Sequence, residues 1–295
     1  LLNGVFSGFV PNSTALIASQ VPKNQSGYAL GTLSTGTVAG TLMGPLLGGL
    51  IAEQFGMRNV FLLVGFFLFL VSALTWWGIE EDYQQISKEE HLSSWELLAS
   101  IQHKDILLGL FLTSMTIQMI GQSISPILPL YVRELGQSDN VIFVSGLIVS
   151  AMGISSILTS GWMGKLGDKI GNHRLLLLAL LYSGILYIFC ALAQTPLQLG
   201  LLRFLFGIGT GALMPGVTAL LNRMTPKEGI SRIFSYNQLF FYVGGVLGPM
   251  MGSSIAMHVN YHWVFYGTAI LAFIDLAFLL FIFRKYLKVR EISAH

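Results

Sequence analysis

The sequence predicts an all-α membrane protein, and three observations carry that prediction: composition, the length of the apolar runs, and a long internal repeat. Of 295 residues, 53% are hydrophobic and 10% charged, with 20 Phe and 11 Met, and the mean hydropathy is +0.68. A water-soluble domain carries roughly a quarter charged residues. This chain has more apolar surface than a soluble fold can hide, and its apolar residues fall into nine runs close to the length that crosses a bilayer.

The runs come in two groups. Leu1 to Val21, Ala29 to Ile51 and Val60 to Gly78 lie before a charged stretch, Ile79 to Asp105. That stretch carries EED and KEE, and Ser93 to Glu96 form a capping-box pattern ahead of LLASI. It reads either as a short amphipathic helix on the membrane surface or as a plain linker. Six runs follow: Ile106 to Val132, Val141 to Met163, Leu175 to Ala193, Leu197 to Leu221, Ile233 to Met257 and Trp263 to Phe283. The expected domains are therefore residues 1–79, a three-span piece; 80–104, a central loop; and 105–295, a six-span bundle with a tail.

Orientation follows from Lys and Arg. Taking loops alternately, one side holds thirteen (Lys23, Lys88, Lys104, Lys165, Lys169, Arg174, Arg223, Lys227, Arg232, Arg284, Lys285, Lys288 and Arg290), the other holds Arg58 and Arg133, and Arg203 lies inside a span. The positive-inside rule then places the central loop and the C-terminus in the cytoplasm. A net charge of +2 points away from a nucleic-acid partner. Cys190 is the single cysteine and lies mid-span, so no disulfide forms within the chain.

Shifting the sequence by 204 positions aligns Pro11 to Phe61 with Pro215 to Phe265 without a gap, and fourteen of the 51 pairs are identical. About five would be expected by chance in so biased a composition. Lys23 and Lys227 fall on the same side, so the copies have the same polarity, and parallel repeats are one way to build a secondary transporter. The repeat matches only the last three of the six later spans. Spans equivalent to those at Ile106, Val141 and Leu175 are expected before Leu1, in roughly 100 further residues, giving twelve spans in two parallel six-helix bundles.

Within the repeat, Gly36, Gly40, Gly44 and Gly48 lie four residues apart, with Pro45 and Gly49 beside them. The spacing lines them along one slowly rotating stripe where another helix can approach closely. Pro45 removes one backbone hydrogen bond, which a neighbour or water must replace. The run from Val141 offers a mate in Gly146, Ser150, Gly153, Ser156, Ser160 and Gly164; ordinary tight packing without functional meaning is the alternative.

These residues resemble a family. Gly40-x3-Gly44-Pro45-x2-Gly48-Gly49 resembles the antiporter motif of drug:proton antiporters in the major facilitator superfamily. GKLGDKIGNHR, Gly164 to Arg174, is similar to that superfamily's cytoplasmic-loop signature, and GFVPNSTALIASQVPKNQSGYALGTLSTG, SISPILPLYVREL, TPLQLGLLRFLFG and RIFSYNQ are similar to strings of its bacterial multidrug-resistance members. The resemblance covers essentially the whole chain. It implies the major facilitator fold, here nine spans, with the last three of the first bundle and a complete second bundle. It also implies a bacterial plasma-membrane location, small amphipathic substrates, protons as the coupling ion and the proton gradient in place of a cofactor. In the loop signature, Gly164, Asp168, Lys169, Gly171 and Arg174 match the pattern of a latch at the cytoplasmic mouth, whereas Asn172 and His173 stand where basic residues are usual. Basic residues in a cytoplasmic loop are also explained by topology alone.

Ser114, Gln118, Gln122 and Ser125 recur at intervals of four, four and three, one polar stripe on an otherwise apolar run. A water-filled cavity is the expected surrounding, and the resemblance agrees, because the first and fourth spans of each half line the cavity in this superfamily. Asn12 in the first visible run, Thr218 and Asn222 in its repeat partner, and Asn237 and Gln238 are further cavity candidates, each also explained as a helix-to-helix hydrogen bond. Phe240, Phe241 and Tyr242 can stack on flat molecules or face lipid.

Ionisable residues in hydrocarbon cost about 2.5 to 3.5 kcal/mol on insertion scales, so each invites a functional reading. Arg203 precedes Phe-Leu-Phe-Gly much as a buried arginine linked to proton coupling does in the superfamily. Asp275 lies midway along the last run and can take a proton. The superfamily's last spans are peripheral supports, so a structural or neutralised Asp275 is the expectation, with the coupling acid upstream of Leu1.

Other patterns carry less. GIGTGA, Gly207 to Ala212, follows no strand, so it reads as helix packing rather than a nucleotide loop. His258 and His262 have i, i+4 spacing but no acid or cysteine beside them, so no metal site is expected. No GxSxG or HExxH string is present, and neither a catalytic residue nor an enzyme activity is expected. The reading is multidrug efflux by proton-coupled antiport through alternating access, in a monomer embedded in lipid. A superfamily exporter or importer of a specific metabolite or sugar is the alternative, and a non-transporting sensor or scaffold a remote one.

Overall fold

The computed structural model describes Gly40, Met43, Gly44 and residues 46–78, 104–225 and 230–292, with the side chains of Asp168, Ile230, Ser231 and residues 285–292 outside that description. Nine helices and no strand lie among these residues: α1 Leu46–Phe55, α2 Met57–Gly78, α3 Lys104–Gln122, α4 Leu128–Glu134, α5 Val141–Ile170, α6 Asn172–Ala191, α7 Pro196–Met224, α8 Ile230–His258 and α9 Tyr261–Ile292. Seven of them are long and apolar enough to cross a membrane. The run from Leu1, most of the run from Ala29, and the central loop lie outside the described residues. The chain divides into two compact units, Leu1–Lys88 and Glu89–His295.

In the first unit, Gly56 separates α1 from α2. Its φ of 82° is a conformation that side chains disfavour. The Gly56 N–H donates to the Ala52 carbonyl at 3.0 Å, and the Asn59 amide donates to the Phe55 carbonyl at 2.7 Å, so carbonyls left open at the end of α1 find donors. Helix α2 is apolar all round, with Phe61, Phe66, Phe67, Phe69, Trp76 and Trp77 exposed. Such a helix needs lipid or a larger core around it.

The second unit is a bundle of α3 to α9. The run Ile106 to Val132 is expected as one span, but the chain breaks it. Pro126 has no N–H to continue the helix, and Ser123 to Ile127 turn tightly instead, with the Ile127 N–H on the Ile124 carbonyl at 3.0 Å. Helix α4 restarts with Pro129 in its first turn, where a missing N–H costs nothing. At the other end of the bundle, α5 runs directly into α6 through Gly171, whose φ is 97°.

Two apolar clusters fill the interior. One, nearer the Gly171 turn, includes Leu110, Leu176, Leu213, Val217, Ile233 and Leu279; the other, nearer α4, includes Ile120, Ile124, Tyr131, Leu199, Phe206 and Phe265. The principal packed pairs are α5 with α7, α3 with α8, and α6 with both α7 and α9.

Three of these pairs are held by glycine. Any side chain at Gly207 of α7 would overlap the Met152 carbonyl and the Ser155 hydroxyl of α5, and a Cβ on Gly211 would lie 2.8 Å from the Ser156 carbonyl. Gly209, on the opposite side of α7, meets Tyr182 and Ser183 of α6. GIGTGA is therefore packing surface on two faces. The second copy of the repeat behaves alike: Gly244, Gly248 and Gly252 of α8 press on the carbonyls of Met115, Met119 and Ser123 along α3.

Candidate functional site: the polar side of α3

Helix α3 carries the stripe read from the sequence, and the glycine seam explains its geometry. Because Gly244 and Gly248 let α8 approach to backbone distance, the fully buried Ser114 hydroxyl reaches across and donates to Asn237 Oδ1 at 2.7 Å. Asn237 is itself 3% exposed. One turn on, Gln118 is half-buried over Gly245, where the missing side chain leaves room for it. Gln122 and Ser125 meet each other at the far end, the hydroxyl donating to Gln122 Oε1 at 2.9 Å. Thr218 turns its hydroxyl onto the Met214 and Pro215 carbonyls of its own helix. Asn222 is exposed and Gln238 half-buried. Among these candidates, Ser114 and Asn237 are a pair that a direct bond joins between helices. Phe240 stacks on Phe111 at 5.4 Å inside the bundle, whereas Tyr242 is exposed. Asn12 lies outside the described residues.

Arg203 lies two turns into α7 and is 2% exposed. Its Nη1 donates to the Tyr187 hydroxyl at 3.1 Å and lies 3.8 Å from the Met152 sulfur. The guanidinium also sits over the Tyr187 and Phe206 rings, 5.8 and 5.7 Å from their centroids. No carboxylate reaches it among the described residues, so an aromatic cage takes the place of a counter-ion. Tyr187 passes the network on by donating to the Ile120 carbonyl of α3 at 2.5 Å. Beside it, the Ser123 and Thr268 hydroxyls bond at 2.9 Å and join α3 to α9. Tyr187 and Thr268 carry no signal in the sequence, since each is a lone hydrogen-bonding side chain in an apolar run, and Ser123 falls off the spacing of the stripe beside it.

Asp275 occupies a second buried position. It is 5% exposed, and the Thr113 hydroxyl of α3 donates to its Oδ1 at 3.1 Å. Its Oδ2 is enclosed without a hydrogen-bond partner. The side chain thus faces α3, the helix with the polar stripe, in a buried position that a structural or neutralised Asp275 also fits.

At the Gly171 turn, the loop signature acquires a local reason. Gly167 leaves the space that Asn172 fills, since any side chain there would overlap the Asn172 amide. Asn172 is buried, and the ring of His173 meets that of Phe283 at 6.0 Å. These two positions look inward, which explains why they lack the usual charge. Lys169 and Arg174 are exposed; Gly164 has open space beside it; the Asp168 side chain lies outside the described residues. Of the first glycine motif, Gly40, Gly44 and Gly48 have no atom near enough to obstruct a side chain and Gly49 is buried, while Gly36 and Pro45 lie outside the described residues.

His258 Nδ1 donates to the Ser254 carbonyl at 2.8 Å, and His262 Nδ1 donates to the Ala191 carbonyl at 2.6 Å. The two rings serve different helix ends. No group of three metal-ligating side chains comes together among the described residues.

Comparison with known proteins bears on the whole chain. The sequence model of the Major Facilitator Superfamily matches twice, over residues 1–144 and 106–294. The chain is 63% identical over 292 residues to the multi-drug resistance efflux pump PmrA of Streptococcus pneumoniae, covering 99% of this chain and 73% of that pump. It is 52% identical to the PmrA homolog of Lactococcus lactis, over 99% of this chain and 72% of the homolog. Multidrug resistance protein MdtG of Salmonella arizonae is 48% identical over 269 residues, 91% of this chain and 67% of MdtG. Among solved structures, a bacterial homolog of the human lysosomal transporter Spinster, in an inward-facing and unoccupied conformation, matches with a TM-score of 0.76 at 17% identity. That match covers 95% of this chain and 75% of the other, and establishes the fold.

Proposed function

Because the chain belongs to the major facilitator superfamily, we propose that its protein exports chemically unrelated amphipathic molecules in exchange for protons, by alternating access. The observation that carries this reading is the 63% and 48% identity to proteins named as multidrug efflux pumps, sustained across nearly all of the chain. The polar side of α3 supports it. A stripe of Ser114, Gln118, Gln122 and Ser125, joined to α8 through Asn237, offers hydrogen bonds of modest specificity, and Thr218, Asn222, Gln238 and Asn12 extend the same lining. Few fixed charges and many apolar walls suit a cavity that accepts varied cations and neutral amphiphiles.

In this reading two six-helix bundles rock about a site at the midplane. The glycines of the antiporter motif, Gly36 to Gly49, keep one helix seam tight, and Gly164 to Arg174 latch the cytoplasmic mouth with Asp168, Lys169 and Arg174 exchanging ionic partners between states. Arg203 holds a fixed positive charge within the coupling network. The positive-inside bias puts the C-terminus and the central loop in the cytoplasm of a bacterial cell. The proton gradient supplies the drive, so no cofactor or enzyme chemistry is called on, and one copy of the protein contains the full path.

Everted membrane vesicles containing the full-length protein test the reading. Ethidium should accumulate under an imposed pH gradient, and unrelated cations should compete with it. Accumulation that persists when the pH gradient is collapsed removes proton coupling. Competition confined to one metabolite class replaces multidrug efflux with a specific transporter.

A further inference from the structure

Asp275 is the one acid with an enclosed, unpartnered oxygen among the described residues, and it is buried against α3. It lies midway along the membrane-crossing part of α9, Tyr261–Arg284. Helices α3, α6 and α8 pack against α9. From α3, Thr113 faces the carboxyl and donates to Oδ1. None of the three helices sets a charged or titratable side chain against it among the described residues. His173 of α6 meets α9 at Phe283, more than two turns away, and Arg203 of α7 is engaged with Tyr187 and Met152.

We infer that Asp275 is a proton-binding site of the transport cycle, and that Thr113 is the contact through which its charge state sets the position of α3. The inference rests on the antiport reading above and adds the identity of a proton carrier within the second bundle. In the packed arrangement a carboxylate would have one hydroxyl donor and no cation, in surroundings that oppose an uncompensated charge. The neutral acid suits this arrangement. Loss of the proton from Oδ2 to water needs water at that oxygen, and water reaches it only when α3 and α9 part. Proton release and withdrawal of α3 are then one event.

The stripe makes this event relevant to substrate. Thr113 and Ser114 are adjacent on α3, yet one bonds to α9 and the other to Asn237 of α8. A movement of α3 away from α9 shifts the polar stripe with it. Proton and substrate thereby compete for the position of one helix, which is what exchange requires.

The test uses the full-length protein in everted vesicles with ethidium as probe, and purified protein in detergent to which tetraphenylphosphonium is added while released protons are counted. In Asp275→Asn, which keeps the shape of the neutral acid, probe binding should stay within about threefold of wild type. Accumulation driven by the pH gradient should fall at least about tenfold, and probe-induced proton release should drop. Wild-type accumulation and proton release in D275N overturn the inference while leaving antiport standing. If wild-type vesicles themselves ignore the pH gradient, the antiport reading falls and this inference with it. Should D275N fail to fold, Thr113→Val decides: the ionised form loses its donor, so the pH at half-maximal transport should rise by about half a unit or more. An unchanged pH profile in T113V overturns the inference.

Discussion

In the tier of the second bundle nearer α4, four helices meet through linked polar groups: Arg203 of α7 on Tyr187 of α6, Tyr187 on the Ile120 carbonyl of α3, and Ser123 of α3 with Thr268 of α9. Seven residues along α9 from Thr268, roughly 10 Å of helix, the second tier joins α3 to α9 through Thr113 and Asp275 and α3 to α8 through Ser114 and Asn237, two bonds that share no group. Both tiers bury an ionisable side chain, but on opposite plans. The cation is surrounded by a phenol, a thioether and two ring faces, each weak and together fixed in place. The acid has one donor and one idle oxygen. Each group leaves one buried polar atom without a partner, Arg203 Nε and Asp275 Oδ2, so what separates them is the number of groups gathered around the rest of the side chain.

The sharpest separation of the two plans comes from Arg203→Met. Replacing an unpaired buried cation by an apolar side chain of similar length should leave the melting temperature in detergent unchanged or higher, while ethidium transport falls more than about tenfold. A steep loss of thermal stability with residual transport would make Arg203 a clamp rather than a functional charge. Tyr187→Phe comes next. It deprives Arg203 of its oxygen partner and leaves the Ile120 carbonyl without that donor, costing about 1.5 to 3 kcal/mol, since one of the bonds is to a charged group. A thermal-shift assay should register this drop, and the absence of a comparable drop in D275N would confirm that the tiers differ. The smallest effect belongs to Ser114→Ala. Its single neutral bond to Asn237 should contribute about 1 kcal/mol, and probe affinity should fall about two- to threefold because Asn237 loses the hydroxyl that holds it beside the polar stripe. No change in affinity would take Ser114 out of the lining.

Span positions were legible because lipid imposes a length that composition reveals directly. The repeat was legible too, and with it the equivalence of Gly40 to Gly48 with Gly244 to Gly252. What the stripe at Ser114 bonds to was not. Asn237 is 123 positions away, and only the register of α8 on α3, set by Gly244 and Gly248, pairs the two. Thr113 escaped notice for a related reason: it lies off the four-residue spacing of the Ser114 stripe, and its partner lies 162 residues on. The contact of Asp275 with Thr113 was not legible either, because α9 turns that side to α3, a rotation that no periodicity in so uniformly apolar a helix records. The split of the run from Ile106 was readable in principle from Pro126 and Pro129, but a hydropathy pattern counts both as mere interruptions.

The seam between α3 and α8 has a further property. Gly244, Gly248 and Gly252 meet Met115, Met119 and Ser123, so glycine and carbonyl both recur every four residues. Sliding α8 along α3 by four residues, about 6 Å, would set Gly244 on Met119 and Gly248 on Ser123, restoring the same kind of fit. A seam with identical notches at equal spacing has more than one position of close fit, and the structure occupies one of them.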